Sequence, residues 1–239
     1  MSVRSVLITA ANSGLGLPTT LSLLRRNVHV TATTRSPQAT THLYAAVPFH
    51  LHPHLTVVHL DLAQEQLPLE VLQALKTVDG VINNAGTEAD LPRTRSGADG
   101  SVLALDWAEF QAAAHINAYG ALKIMKACVP YMKERQFGRI VNVSSARASL
   151  GTVIGEVGAP CYDISKTLLN AFTAHLGHEL RHTNVLVNAL CPGWCATPMG
   201  GPEAPDTPQK GAQRIVRLLD LPSNGPNGQF FMNDQVVPF

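Results

Sequence analysis

Apolar and polar positions along this chain fall into two alternating rhythms. Val3 to Thr9 is a short apolar run rich in β-branched residues; beyond a turn of small residues, apolar positions recur at helical spacing through Leu24. The same switch repeats. Val28 to Thr33, Leu55 to Leu60, Val81-Ile82, Arg139 to Val143 and Val185 to Leu190 read as strands, and Phe230 to Met232 as a short last one. Between them, 65–76, 106–134, 162–181 and about 209–221 read as helices, the fourth after a Pro/Gly-rich stretch at 198–208. Strands alternating with helices, with no break in composition, predict an α/β fold: a single-domain, Rossmann-type doubly wound parallel sheet of about seven strands over residues 1–239, with helices on both faces.

Composition narrows the class. Of the 239 residues, 45% are hydrophobic and 15% charged, enough to bury a large core and unlike a disordered chain. The net charge of +1, without basic or acidic blocks, argues against nucleic acid or an anionic membrane surface as the main partner. No apolar run has membrane-spanning length, and Met1-Ser2-Val3-Arg4 leads straight into a strand pattern without a signal peptide. Cys128, Cys161, Cys191 and Cys195 follow no zinc or disulfide spacing, so a cytoplasmic setting is expected.

Candidate chemistry sits at strand ends. The first strand runs into Ala-Ala-Asn-Ser-Gly-Leu-Gly and then a helix. Gly14 would let the backbone approach a pyrophosphate, Gly16 would let the helix pack closely, and the helix N-terminus would face the phosphates, although a plain βα turn has the same pattern. The second strand ends in Thr33-Thr34-Arg35, where an NAD-type site would carry Asp or Glu; an arginine suits a 2′-phosphate, so NADP(H) is favoured over NAD(H). Asn83-Asn84-Ala85-Gly86 and Ser144-Ser145 close two further strands with the small and amide residues a ligand crevice needs.

At the start of the 162–181 helix, Tyr162 and Lys166 are four residues apart and share a face. An ammonium beside a phenol is an acid-base device, and is expected to lower the tyrosine pKa. Two histidine patterns compete for attention. His50-Leu51-His52-Pro53-His54 lacks a neighbouring carboxylate or cysteine and is interrupted by proline. His178-Glu179-Leu180-Arg181-His182 matches a zinc hydrolase pattern, but at a polar helix end, with Glu203 the only later glutamate; His175 extends its face. No metal site is expected from either.

Taken together the motifs resemble the short-chain dehydrogenase/reductase family along nearly the whole chain. Thr9-Ala10-Ala11-Asn12-Ser13-Gly14-Leu15-Gly16 is similar to its Thr-Gly-x-x-x-Gly-x-Gly, residues 83–86 to its Asn-Asn-Ala-Gly, Asn117 to its helix asparagine, Ser145 with Tyr162 to Lys166 to its catalytic set, and Pro192-Gly193 with Thr197 to its late turn. The Pro-Gly-Trp-x-x-Thr-x-Met-Gly-Gly-Pro run resembles the carbonyl-reductase-like members. There are three departures. Ala10 replaces a glycine, which is costly if that position needs positive φ. Cys195 replaces a valine expected to contact the nicotinamide amide through its backbone. The usual thirteen-residue spacing before the tyrosine selects Ser149, whereas the strand end selects Ser145 with four extra residues. The strand end is preferred, since a strand fixes a side chain better than a loop.

The resemblance implies an NADPH-dependent enzyme that interconverts a small-molecule carbonyl and alcohol. It implies that Ser145 binds the substrate oxygen, Tyr162 gives it a proton, Lys166 tunes Tyr162 and holds the nicotinamide ribose, and Asn117 places a relaying water. Asn12, Ser13 and Leu15 would line the diphosphate, Asp61-Leu62 the adenine, and Asn84, Ala85 and Gly86 the adenosine ribose side. Residues 195–208 would form a substrate lid and shape the pocket together with the loops at 87–104 and 151–161, and the family suggests a homodimer or homotetramer. A non-catalytic NADP(H) sensor or scaffold of the same fold is the alternative.

Overall fold

A computed structural model of the chain describes residues 2–88, 100–151 and 158–239. The elements run β1 (Ser5–Ile8), α1 (Gly16–Arg25), β2 (His29–Thr34), α2 (Pro37–Ala46), β3 (Leu55–His59), α3 (Leu69–Leu75), β4 (Gly80–Asn83), α4 (Trp107–Ala114), α5 (Gly120–Glu134), β5 (Gly138–Val143), α6 (Pro160–Glu179), β6 (Val185–Cys191), α7 (Pro208–Arg217), β7 (Phe230–Met232) and β8 (Gln235–Val237). They build one eight-stranded sheet in the order β3-β2-β1-β4-β5-β6-β7-β8. All neighbours are parallel except the β7–β8 pair.

The order reverses between β1 and β4, so the crevice of this doubly wound sheet opens at the carboxyl ends of those two strands. Each strand sends alternate residues to opposite faces. Val6, Ile8, Ile82, Val141 and Val143 join Leu23, Leu24 and Ile215 in one core. Leu7, Val81, Ile140 and Val187 join Leu75, Ile124 and Met132 in the other. No helix of the described residues is long and apolar enough to cross a membrane.

Three expectations are corrected. The last strand is not Phe230–Met232: β8 returns beside it through Asn233 and Asp234, whose positive φ of 49° and 65° suits a tight hairpin turn. The helix expected from Glu65 begins at Leu69, because Pro68 at its N-cap has an extended ψ of 151°. The long helix from Asp106 to Glu134 is continuous but not uniform: a π-turn at His115–Tyr119 separates α4 from α5.

Candidate active site

The strand ends are tied before any ligand arrives. Thr9 is buried at the end of β1, and its hydroxyl accepts from the backbone N–H groups of Asn84 at 3.0 Å and Ala85 at 2.8 Å. Asn84 answers by donating its amide to the Thr9 carbonyl at 2.9 Å and the Ala10 carbonyl at 3.2 Å. The turn that follows is left-handed twice, at Ala10 (φ 52°) and Gly14 (φ 54°). Space beside Gly14 is open, whereas a Cβ at Gly16 would collide with the Ala10 carbonyl. Gly16 thus lets α1 start against the turn, its N–H and that of Leu17 turned back to Ser13 O at 2.9 and 3.4 Å, so that the positive end of the helix dipole faces the turn.

The opposite wall comes from β5, the π-turn and α6. Asn117 lies in the π-turn, 1% exposed. Its Oδ1 accepts from Thr87 N at 2.7 Å, and its Nδ2 donates to Thr87 O at 3.0 Å and Ser165 Oγ at 2.8 Å. A π-turn widens the helix locally and often marks a functional site. Gly86 is squeezed between this asparagine and Lys166, since a Cβ there would meet Asn117 Oδ1 and Lys166 Nζ at 3.2 Å each. Lys166 donates to Val143 O at 2.8 Å, and its Nζ stands 5.9 Å from the Tyr162 ring centroid.

Electrostatics here differ from the sequence expectation. Burial pushes Tyr162 up to about 12, and a hydrogen bond with Ser145 pulls it back only in part. Burial also pushes Lys166 down to about 8. The ammonium was expected to dominate, but a site that excludes water disfavours both charges. Tyr162 therefore holds its proton at neutral pH, and Lys166 titrates nearest to it.

Ser145, two residues past the end of β5, lines this cleft, while Ser149 turns away and donates to Pro238 O at 2.8 Å. Beyond β6, Gly193 adopts φ 90°, with Arg214 and Asp206 packed beneath it. Arg214 donates to Pro192 O at 2.7 Å and pairs with Asp206 at 2.5 Å. Two backbone bonds, Ala196 N to Asp206 O at 2.8 Å and Asp206 N to Trp194 O at 3.1 Å, close the neck of the segment expected to be a lid. Thr197 Oγ1 accepts from Gly200 N at 3.0 Å within it.

One cleft of about 850 Å³ gathers Ser13, Gly14, Leu15, Arg35, Asn84, Gly86, Ser145, Tyr162, Lys166, Pro192, Gly193, Cys195 and Thr197. Thr9, Asn12, Gly16, Ala85, Asn117, Asp61 and Leu62, also expected at the site, do not line this cleft. Leu62 is buried against Gly120, and Asp61 accepts from Ala63 N at 3.0 Å in a local turn. Lys123 caps this turn by donating to the carbonyls of Leu62 and Gln64.

Arg147 lines the cleft without having been expected there; Thr87, Glu88, Gly158 and Met199, which line it too, fall within the loops at 87–104 and 151–161 and the 195–208 segment. Much of the loop at 87–104 and of the segment at 151–161, expected to shape the pocket, lies outside the described residues. His178, Glu179 and His182 are exposed, and α6 ends at Glu179, so the zinc pattern is not carried on one helix. His52 is engaged with Val47 O at 2.9 Å. Among the described residues, no group of three His, Cys, Asp or Glu could hold a metal ion.

Comparison with known proteins adds a lineage to this geometry. A family model described as short chain dehydrogenase matches residues 4–208. Retinol dehydrogenase 8 of Bos taurus is 32% identical over 98% of this chain and 70% of its own length. NADPH carbonyl reductase 1 of Rattus norvegicus is 27% identical over 98% of this chain and 97% of its own. The NADPH-bound carbonyl reductase from chicken fatty liver superposes with a TM-score of 0.82 at 24% identity, covering all of both chains, and so shares the fold.

Proposed function

Because the chain belongs to the short chain dehydrogenase family, we propose that this oxidoreductase uses NADP(H) to interconvert a carbonyl and an alcohol, with Tyr162 as proton donor. The reading is carried by one observation: Ser145, Tyr162 and Lys166 line the same cleft as the left-handed Gly14 turn and Arg35.

The cleft fits a phosphorylated dinucleotide. Space beside Gly14 is open, α1 offers its N-terminus, and Arg35 is exposed at the tip of β2, where a 2′-phosphate would meet its fork. Ser13, Gly14 and Leu15 would hold the diphosphate, Asn84 and Gly86 the ribose side, and Pro192 to Thr197 the nicotinamide end. When bound, the cofactor supplies or accepts the hydride.

The chain's own residues do the rest. Ser145 offers its hydroxyl to the substrate oxygen. Tyr162, protonated at neutral pH, donates to that oxygen as negative charge develops there; preorganised donors aimed at such charge are worth several kcal/mol. Lys166 can release a proton near neutrality and so restores the phenol. Asn117 holds the loop at Thr87 and the α6 residue Ser165 in one place, keeping Lys166 against Gly86. Residues 195–208 act as the substrate lid, with a fixed neck between Trp194 and Asp206 and Met199 facing Tyr162.

The test is fluorescence titration with NADPH and NADH, on wild type and Arg35→Ala. A preference for NADPH that the variant loses is the expected result. Absence of binding by either cofactor would overturn the reading, and binding without turnover of any carbonyl would favour a sensor of the same fold.

A further inference from the structure

Sixteen residues of chain connect Ser145 to Tyr162. A link of that length does not by itself fix the relative placement of its ends. Yet the two hydroxyls must converge on one substrate oxygen, if the function proposed above holds. Something other than the connecting chain must hold them in register.

Arg147 bridges the two sides. Its backbone N–H donates to Ser145 Oγ at 3.2 Å, within the short turn Ala146–Ala148 that Ser145 caps. Its guanidinium reaches α6 and grips Asp163 with both arms, Nε to Oδ1 at 2.7 Å and Nη2 to Oδ2 at 2.9 Å. Asp163 is the residue after Tyr162, in the first turn of α6, where the helix dipole also favours a carboxylate. The two side chains are 24% and 23% exposed, so the fork is partly shielded from solvent. Gly158 leaves the room, since a Cβ there would strike both Arg147 Nη2 and Asp163 Oδ2. On the far side of the turn, Thr167 and Asn170 donate to Ala148 O at 3.3 Å and 3.4 Å.

We propose that Arg147 and Asp163 are a positioning pair that holds the Ser145 turn against the Tyr162 end of α6 and balances the field at the phenol. A bidentate guanidinium–carboxylate bond fixes angle as well as distance, which a single lysine contact would not. The pair's charges act on the phenol with opposite sign: Asp163 raises its pKa and Arg147 lowers it. The other groups facing Tyr162 among the described residues are Ser145 from the turn after β5, Cys191 from β6 and Lys166 from its own helix.

The test measures kcat against pH for NADPH-dependent reduction of 4-nitrobenzaldehyde, with NADPH Kd measured alongside. The variants are Arg147→Met, Asp163→Asn, the double variant and Arg147→Lys. Each single variant should lose roughly tenfold in kcat, as small misplacements at a reacting centre do, with Kd for NADPH little changed. The alkaline limb of the profile, set by the Tyr162–Lys166 couple that passes the proton, should move up by about half a unit in Arg147→Met and down by as much in Asp163→Asn, the size expected of a partly exposed pair. The double variant should return the limb to its wild-type place without restoring kcat, and Arg147→Lys should keep the limb while recovering kcat only in part. A purely structural pair would lower kcat with no opposed shifts, and that result would overturn the proposal. So would unchanged kcat in an active enzyme, which leaves the functional reading intact; a wild type that binds no NADPH removes both. If the singles fold poorly by circular dichroism, the uncharged double variant still has to show reduced kcat at an unshifted limb.

Discussion

Replacing Ala10 by glycine should make this protein more stable. Ala10 has φ 52°, in the left-handed region. There an L-residue costs about 1–2 kcal/mol from the clash of Cβ with the backbone. Glycine avoids the clash but surrenders more freedom on folding, about 0.5–1 kcal/mol. The bonds at this position are backbone bonds: Ala10 N to Thr33 Oγ1 at 3.3 Å, and Ala10 O from Asn84 Nδ2 at 3.2 Å. Both survive the substitution, so the balance is a gain of about 0.5–1 kcal/mol. For a chain of 239 residues that raises Tm by about 1–4 °C. Thermal unfolding of the cofactor-free protein, with reversibility checked, measures it. Ala11→Gly is the control: Ala11 is fully buried and its φ is not positive, so glycine there should lower Tm. NADPH should bind Ala10→Gly at least as tightly as wild type, since the lost methyl lay on the cleft wall. A fall in Tm for Ala10→Gly similar to that of Ala11→Gly would refute the reasoning.

Lys166→Met should stabilise the cofactor-free protein at pH 7 while abolishing turnover. The folded pKa of about 8 lies below the ordinary 10.5, so the unfolded chain binds more protons between those values and this group's contribution to stability rises with pH across that window. At pH 7 its buried charge costs about 3 kcal/mol, offset by about 1–2 for the bond to Val143 O; urea melts at pH 7 and pH 10 should show the variant's advantage shrinking. Tyr162→Phe should lower the rate of carbonyl reduction by roughly 10²–10⁴-fold with NADPH Kd retained, and an unchanged rate in stopped-flow assays would remove Tyr162 from the proton path. Ser145→Ala should cost about 10²-fold or more in kcat, whereas Ser149→Ala, which frees only the bond to Pro238 O, should lower Tm and leave kcat alone; the reverse pattern would exchange their roles.

What was legible in the sequence was local. Tyr162 and Lys166 share a face because four residues make about one turn, and the strand-helix rhythm follows from which side chains must be buried. Ala10 was readable as a point of strain because a single missing glycine violates a backbone rule. Effects that depend on distant partners were not readable. Arg147 reaches Asp163 sixteen residues on, across a turn whose path no periodicity describes. The pKa of Tyr162 moved up because water is excluded by walls from β5, β6 and α6, and burial cannot be counted along one helix. The β7–β8 hairpin does carry a local signal: Asn233-Asp234, two adjacent residues of the turn-forming type, stand between two short apolar runs.

The π-turn at His115–Tyr119 also constrains how this chain can change in length. It holds one residue more than an α-helix needs, and each residue turns a helix by about 100°. Deleting one of those five would let an unbroken α-helix join the two halves with their buried faces still in phase, so Ala113 on one side and Ile124, Met125 and Met132 on the other would keep their places. What would go is the widened turn that aims Asn117 at Thr87 and Ser165. A one-residue deletion between 115 and 119 therefore separates the two tasks of this helix, sparing the core and removing a site residue, whereas the same deletion in α4 or α5 would turn a core face away from the sheet.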